Sequence, residues 1–388
     1  MKLLRIIPSM DPKQGGPCQG IRNAIPELFK LGVKNEVVCF DTSHSEYLGN
    51  DSFKIYTIGK KKNPWRYNSR LIPWLKENAL NYDVIVVHGL WQYHTYASVK
   101  AIMAFRNKNI LSPKIYIMPH GMLDPYFQKA KKRRLKALRN EIYWKLFENR
   151  VVNRSDGIMF NCEEELLLAR KTFPNYQPKK EINVGYGIQP PPSRTADMRE
   201  AFTKRVPQWN KKPYFLFLSR IHQKKGVDLL IKAYRKLEKE MSPIPQLIIA
   251  GPEMHPYGHE MQKLAEGSSN ILFAGMLSGE AKWGAFYECQ CFVLPSHQEN
   301  FGIAVVEALA CAKPVLISDK VNIWREIEEK NGGIVTKDTE EETYNLLKQW
   351  LVKSYDEKNE MSVNALKVYE DYFTIAQAAK QFLKGIKS

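Results

Sequence analysis

Short apolar runs that alternate with longer amphipathic segments are the feature of this sequence that most constrains its fold. Each run has the length of a buried strand, and each segment between two runs has the length and periodicity of a helix. This alternation is typical of parallel sheets flanked by helices. The predicted strands of a first sheet are residues 2–8, 36–40, 83–89, 114–121 and 157–161, and those of a second are 213–220, 246–251, 270–275, 291–296 and 314–319.

The chain is too long for a single hydrophobic core. At 388 residues it is expected to form two domains. A polar, proline-rich stretch at 189–213 lies between the two sets of predicted strands and suits a domain connection. We therefore predict an α/β protein of two Rossmann-like domains, residues 1–190 and 205–370, whose parallel sheets face a central cleft.

Positive charge is concentrated in the first half of the chain. Residues 1–190 contain 31 Lys and Arg against 16 Asp and Glu, a net charge of +15, whereas the remaining residues have a net charge of +2. The densest segment, 129–150, has an apolar stripe at helical spacing, and 60–74 is a second basic and aromatic stretch. Such surfaces can bind an anionic membrane, nucleic acid or only solvent. We favour the membrane and expect no nucleic-acid partner, because no nucleic-acid-binding module is legible.

Other function classes lose support from what the sequence lacks. No run approaches the roughly 20 apolar residues that span a bilayer, so we expect a cytoplasmic protein, peripheral on the membrane at most. Six cysteines without CxxC pairs indicate neither a disulfide framework nor a zinc site. The dinucleotide fingerprint GxGxxG and the Walker motif are absent from the expected positions. We therefore expect no cofactor.

Two carboxylates mark a candidate site in the second half. In SHQENFGIAVVE, Glu299 follows a predicted strand and Glu307 lies on the next predicted helix, with seven residues between them. Ligands of open α/β sheets bind at the carboxyl ends of the strands, and a helix amino terminus offers N–H groups to phosphate oxygens. An isolated pair of glutamates is more often solvated than bound to a ligand. Other residues must therefore decide between these two interpretations.

Cations and strand-end residues favour a nucleotide-sugar site. Arg220 ends a predicted strand and Lys225 precedes a predicted helix, where two positive charges are costly unless an anion such as a diphosphate lies between them. In the first half, Gly16 belongs to a glycine turn before a helix predicted to begin near residue 19. His120 ends a strand, but spacing does not rank it above His88 and His94.

These segments resemble a known family. RIHQKKGVDLLIKA, SHQENFGIAVVEALACAKPVLISD and PHGMLDP are similar to the signatures of retaining glycosyltransferases of family 4, which have the GT-B fold. The resemblance implies a nucleotide-diphosphate sugar, of UDP or GDP, as donor and a glycan or lipid-linked acceptor, as in bacterial surface polysaccharide biosynthesis. It also implies that residues 371–388 form a final helix that returns to the first domain. The sequence departs from the family at Ala312, where Gly is usual, and at 320–327, to which we assign no role.

The resemblance also implies roles for individual residues. Glu299 would contact the donor sugar and Glu307 the ribose, and His120 would reach the transferred sugar. The cations would bind the diphosphate. The remaining positions that match donor-binding residues of the family are Gly16, Asn300, Phe301 and Gly302.

Catalysis without a metal ion is the expected mechanism. The sequence contains no DxD, the usual carboxylate pair for a divalent ion on a diphosphate, so Arg220 and Lys225 would stabilise the departing diphosphate instead. The acceptor would attack from the face that the diphosphate leaves, or a covalent carboxylate intermediate would form first. A GT-B sugar-nucleotide epimerase and a non-catalytic basic binding protein are the alternative functions.

Overall fold

The computed structural model describes residues 1–59, 63–130, 133–241, 243–252 and 256–388. The chain divides into two compact units. Unit 1 comprises Met1–Gly187 together with Ile375–Ser388, and unit 2 comprises Ile188–Thr374.

Unit 1 is built on a parallel sheet. In the part of this unit that the structure describes, seven strands pair in the order β3-β2-β1-β4-β5-β6-β7, and every pairing is parallel. The strands predicted for the first sheet all form, and β3 and β7 are added at its two edges. The strands are β1 Lys2–Ile7, β2 Lys34–Cys39, β3 Ile55–Thr57, β4 Val84–His88, β5 Lys114–Met118, β6 Gly157–Phe160 and β7 Glu181–Asn183.

Helices cover both faces of this sheet. Alternate residues of β1 show this arrangement, because Leu4 and Ile6 join one buried cluster whereas Leu3 joins another. The helices of unit 1 are α1 Gly16–Lys30, α2 Leu71–Asn78, α3 Tyr93–Arg106, α4 Tyr126–Lys129, α5 Arg134–Tyr143, α6 Asn149–Arg154, α7 Glu163–Ala169 and the C-terminal helix Ile375–Lys387.

Unit 2 has the same architecture. Six strands among its described residues form a parallel sheet in the order β10-β9-β8-β11-β12-β13. The five predicted strands form, and β13 is added at one edge. The strands are β8 Phe215–Leu218, β9 Leu247–Ala250, β10 Ile271–Gly275, β11 Cys291–Leu294, β12 Val315–Ser318 and β13 Gly333–Thr336.

The predicted connection at 189–213 contains a helix. Thr195 caps this helix by accepting a hydrogen bond from the N–H of Met198 at 3.4 Å. The helix packs so tightly on α11 that a Cβ on Gly284 would lie 2.1 Å from the Met198 carbonyl oxygen. The helices of unit 2 are α8 Ala196–Arg205, α9 Val227–Glu240, α10 Tyr257–Ala265, α11 Gly279–Glu288, α12 Ile303–Ala310, α13 Trp324–Glu329, α14 Glu340–Val352 and α15 Tyr355–Val368, so the C-terminal helix is α16.

The basic segment 129–150 is not one continuous helix. A π-helical turn, Trp144–Glu148, follows α5 and leads into α6. The apolar stripe on this segment is exposed: the accessible fractions are 85% for Leu135, 60% for Leu138, 49% for Ile142 and 56% for Leu146. Residues 60–62 and 131–132, which supply five of the predicted basic side chains, lie outside the described residues. Of the helices that the structure describes, none has the length and apolar character needed to cross a membrane.

Glu148, at the end of the π-helical turn, is a buried carboxyl group. Its Oε1 accepts hydrogen bonds from the N–H of Trp91 at 2.7 Å and from the hydroxyl of Thr95 at 3.3 Å. Burial raises the pKa of Glu148 from 4.5 to about 7. The folded protein therefore holds a proton on Glu148 between pH 4.5 and 7, where the unfolded chain has lost it.

This difference in protonation predicts a pH-dependent effect of Glu148→Gln on stability. A raised carboxyl pKa makes the folded state progressively less stable as the pH rises from 4.5 towards 7, and the amide does not ionise. Relative to the variant, the wild-type protein should lose about 3 kcal/mol across this range, at 1.36 kcal/mol per pKa unit. Urea unfolding of both proteins at pH 4.5 and 8 measures the change. Parallel pH dependences of the two proteins would contradict it.

Candidate functional site

An ion pair joins two of the predicted site residues in unit 2. Lys225 lies in a short 3₁₀ turn before α9, and its ammonium group bonds to the Glu299 carboxylate. The Lys225 side chain is 5% exposed, whereas that of Glu299 is 22% exposed, so the carboxylate remains open to solvent. The predicted need for an anion beside Lys225 is thus met by the protein itself.

Backbone hydrogen bonds fix the position of Glu299. Its N–H donates to the Lys320 carbonyl oxygen at 2.9 Å, and its own carbonyl accepts from the N–H of Asn322 at 3.0 Å. The loop after β11 is therefore tied to the loop after β12. Gly302 follows at φ 75°, a left-handed conformation that turns the chain into α12.

Gly226 allows Lys225 to approach the end of β11. Its φ is 65°, and a Cβ at this position would lie 2.0 Å from the carbonyl oxygen of Pro295. Only glycine combines this conformation with this close backbone contact. The 3₁₀ turn that contains Lys225 is therefore packed against the end of β11, the strand that precedes the loop with Glu299.

The second glutamate also has a lysine partner. Glu307 on α12 accepts a hydrogen bond from the Lys282 ammonium group on α11 at 2.8 Å. Both side chains are partly open, with 15% of Glu307 and 23% of Lys282 exposed. Nothing in the spacing of the sequence indicated Lys282, because 25 residues separate the partners. The pair can orient a carboxylate towards hydroxyl groups while limiting its net charge.

The remaining predicted residues of unit 2 have different environments. Arg220 is exposed just beyond β8, and within the described ranges it has no carboxylate partner in an ion pair. Its charge adds to burial in lowering the pKa of His222. The Asn300 side-chain oxygen accepts from Asn322 at 3.4 Å. Phe301 is 6% exposed and packs edge-on against Phe373, so its ring has a structural role.

In unit 1, His120 is one end of a chain of hydrogen bonds. Its Nε2 lies 2.9 Å from Nδ1 of His88, and Nε2 of His88 lies 3.3 Å from Nη1 of Arg5. His120 adopts a φ of 52°, which is uncommon outside glycine. Arg5 lies in β1, His88 ends β4 and His120 follows β5. These three strands are neighbours in the sheet.

The direction of these hydrogen bonds determines the tautomer of His120. A guanidinium group only donates, so His88 Nε2 must accept from Arg5 and His88 Nδ1 must carry the hydrogen. His120 Nε2 then accepts, which leaves the hydrogen of the neutral ring on Nδ1. Burial lowers the pKa of His120 to about 3, so the ring is neutral at physiological pH. His120 is therefore arranged as a hydrogen-bond donor.

His120 lines a cavity of about 180 Å³ at this edge of the sheet. The wall also contains His94, whose Nε2 lies 2.8 Å from the His88 carbonyl oxygen. A carbonyl can only accept, so His94 Nε2 carries a hydrogen. Among His88, His94 and His120, which the sequence left unranked, His94 and His88 are thus committed to contacts within the protein.

Gly16 begins α1, three residues earlier than predicted. Its carbonyl oxygen accepts a hydrogen bond from the Tyr186 hydroxyl at 3.0 Å. The adjoining Pro17 and Gln14 line the cavity that contains His120. The structure thus brings the glycine turn and His120 to one edge of unit 1, and brings Lys225 and Glu299 together in unit 2.

Comparison with known proteins identifies the fold and the domain. Residues 198–368 match the family model described as glycosyl transferases group 1. The HepE protein of Anabaena, solved in complex with UDP and glucose, aligns over 100% of this chain and 99% of its own at a TM-score of 0.71 and 16% identity. A glycosyltransferase of Rickettsia africae aligns over 99% of this chain and 97% of its own at a TM-score of 0.74 and 15% identity.

Curated relatives agree with this assignment. The O-antigen chain mannosyltransferase C of Escherichia coli is 29% identical over 44% of this chain, and the match spans less than half, 46%, of that protein. Trehalose synthase of Pyrococcus horikoshii is 22% identical over 96% of this chain and 87% of its own length. The chain has the GT-B fold. This confirms the predicted fold class, and residues 198–368 are similar to the glycosyl transferases of group 1.

Proposed function

We propose that this protein is a retaining glycosyltransferase that moves a hexosyl or N-acetylhexosaminyl group from a UDP or GDP sugar to a glycan or lipid-linked acceptor. The observation that carries the proposal is the pair of lysine-supported carboxylates, Glu299 with Lys225 and Glu307 with Lys282, beside the carboxyl edge of the second sheet. Surface polysaccharide biosynthesis is the proposed setting. It is supported by the related O-antigen mannosyltransferase and by the fold shared with HepE, which was solved with UDP and glucose.

In the proposed reaction the bond between the anomeric carbon and the diphosphate oxygen breaks first. The electron pair leaves with the nucleotide diphosphate, and Arg220 and Lys225 stabilise the developing charge in place of a metal ion. The acceptor hydroxyl forms the new bond on the face that the diphosphate leaves, and its proton passes to the departing phosphate oxygen. Glu299 accepts hydrogen bonds from the sugar hydroxyls, Glu307 holds the ribose, and the loop Asn300–Gly302 lies against the donor.

Nucleotide release with a panel of UDP and GDP sugars tests this function. We expect one donor to release its nucleotide diphosphate faster when an acceptor is added, and the product to keep the anomeric configuration in NMR spectra. Inversion at the anomeric carbon would contradict the retaining mechanism. Conversion of the donor sugar without nucleotide release would instead identify an epimerase.

We also propose that unit 1 binds an anionic membrane surface through segments 60–74 and 129–150. The support is the exposed stripe of Leu135, Leu138, Ile142 and Leu146 within a basic segment, since an apolar stripe flanked by cations suits the lipid interface. The cytoplasmic face of a membrane would supply the anionic lipid.

Flotation with liposomes measures this association. The wild-type protein should float with vesicles that contain anionic lipid and remain at the bottom with neutral vesicles. The double variant Leu135→Asp and Leu138→Asp should not float, whereas the control Val352→Asp, at a residue 67% exposed in unit 2, should behave as the wild type. Equal recovery with both kinds of vesicle would refute the proposal.

A further inference from the structure

A second cavity in unit 1 has three aromatic residues among the nine that line it. Its volume is about 270 Å³, and Trp65, Trp91 and Tyr143 form much of its wall. The rest of the wall consists of three apolar residues, Pro64, Leu90 and Met122, and of three that can hydrogen bond, Gln92, Arg139 and Asn140. We propose that this aromatic cavity binds a saccharide ring of the acceptor, an inference that rests on the glycosyltransferase function proposed above.

The lining matches the chemistry of a saccharide. A pyranose ring has an apolar face of C–H groups and an edge of hydroxyls that both donate and accept hydrogen bonds. Trp and Tyr rings offer flat apolar faces at a low cost in side-chain entropy, and amide and guanidinium groups suit the hydroxyls. Ligand cavities for drug-sized molecules start at about 300 Å³, so this one suits a single ring.

Trp91 is held in a conformation that the local sequence does not favour. Its φ is 69°, in the left-handed region that bulky residues rarely occupy. The buried carboxyl group of Glu148 fixes it by accepting a hydrogen bond from its N–H at 2.7 Å, and the Trp91 ring packs against Phe173. Strain of this kind persists where surrounding structure imposes it, and it clusters at functional sites.

Glu148 itself has no evident structural need to be an acid. It lies at the end of the π-helical turn, and its Oε2 is buried without a hydrogen-bond partner in the described part of the chain. π-helical turns are rare in proteins, and those that do occur often lie at functional sites. Glu148 is therefore a positioning residue, which acts on the ligand through the backbone of Trp91.

The aromatic cavity adjoins the cavity that contains His120. The two share Leu90, Gln92 and Met122 in their walls. A saccharide in the aromatic cavity would thus lie next to the residue predicted to reach the transferred sugar. This placement favours the acceptor over the donor as the occupant.

Saturation-transfer NMR with the full-length chain and a panel of methyl glycosides and disaccharides tests the proposal. We expect at least one probe to show transfer to its ring C–H protons. Its affinity should fall about tenfold or more in Trp65→Ala and in Tyr143→Ala, which corresponds to about 1.4 kcal/mol, near the upper limit for an aromatic contact. The matched control is Tyr355→Ala in unit 2, whose ring is 78% exposed and which should bind as the wild type.

Glu148 variants separate positioning from general stability. Glu148→Ala removes the acceptor for the Trp91 N–H and should weaken binding about as much as Tyr143→Ala, whereas Glu148→Gln keeps an acceptor oxygen and should restore it. Thermal unfolding of each variant shows whether the fold is intact. Equal affinity of Glu148→Ala and the wild type would overturn the positioning role.

The saccharide proposal fails if no probe binds, or if binding is the same in Trp65→Ala, Tyr143→Ala and the wild type. Donor turnover by the wild type decides the underlying function separately. Nucleotide release from a sugar donor combined with no binding to the aromatic cavity would overturn this inference alone. Saccharide binding without any donor turnover would overturn the transferase function and with it the acceptor role, and would leave a saccharide-binding cavity.

Discussion

Replacing Glu299 with glutamine is expected to lower kcat/KM for sugar transfer by about 100-fold or more, because loss of one hydrogen-bonding group that acts in the transition state costs this much in other enzymes. Glutamine keeps the size of the side chain and an oxygen that can accept from Lys225. Glutamine should therefore destabilise the fold less than a substitution that also removes the acceptor. Nucleotide release with the best donor, measured with and without acceptor, gives the rates.

Glu299→Ala should behave differently, because Lys225 is only 4% exposed and Glu299 supplies its charge partner. Removing one member of a largely buried pair leaves an uncompensated charge and costs about 3 kcal/mol. Both variants remove the charge partner of Lys225, but glutamine keeps an acceptor for its ammonium group, so the alanine variant should lose more thermal stability than the glutamine variant while both lose activity. Glu360→Gln, at an exposed position on α15, is the matched control. Wild-type rates in Glu299→Gln would remove Glu299 from the reaction.

The sequence predicted the central strands of both sheets but missed three edge strands. A strand covered by helices on both faces is a continuous apolar run, as in β4, where every residue is buried. The missed strands β3, β7 and β13 have three or four residues and are mostly half-buried. Edge strands of this kind carry too short a pattern to stand out from loops.

Other differences have local causes. Helix α8 was not predicted, because the prolines around it indicated a domain connection. Its signals were Thr195 as the N-cap and the helical spacing of Met198 and Phe202. Ala312, which stands where the family usually has Gly, does adopt a left-handed φ of 56°. The backbone thus has the left-handed conformation that glycine adopts easily. For alanine, which has a Cβ, this conformation costs about 1–2 kcal/mol of stability.

Several contacts in the candidate site were not indicated by sequence motifs. Motifs indicated Glu299 and Lys225, but they did not indicate that the two side chains bond to each other. The contacts from Lys282 to Glu307 and from Arg5 through His88 to His120 join residues that are distant in sequence. The second of these depends on the order in which strands lie in the sheet, and apolar runs do not specify that order.

Replacing Arg5 with methionine is expected to lower the rate of sugar transfer about tenfold or more. Arg5 does not contact His120, so it would act through His88. Arg5 is 3% exposed, its Nε bonds to Asn35 at 3.1 Å, and its Nη1 lies against His88. Without this donor, His88 is free to carry its hydrogen on Nε2. His120 Nε2 would then donate to His88 Nδ1, and the hydrogen on His120 Nδ1 would be lost.

The tautomer of His120 is the measurement that separates this relay from a packing effect. Nitrogen chemical shifts of the His120 ring should show hydrogen on Nδ1 in the wild-type protein and on Nε2 in Arg5→Met. Arg5→Lys retains a donor that cannot accept and should restore the Nδ1 hydrogen and part of the rate. The relay is wrong if His120 has the same tautomer in wild type and Arg5→Met, whatever the change in rate. If the tautomer changes and the rate falls with it, His120 acts on the sugar as a donor whose hydrogen is set by a residue two strands away.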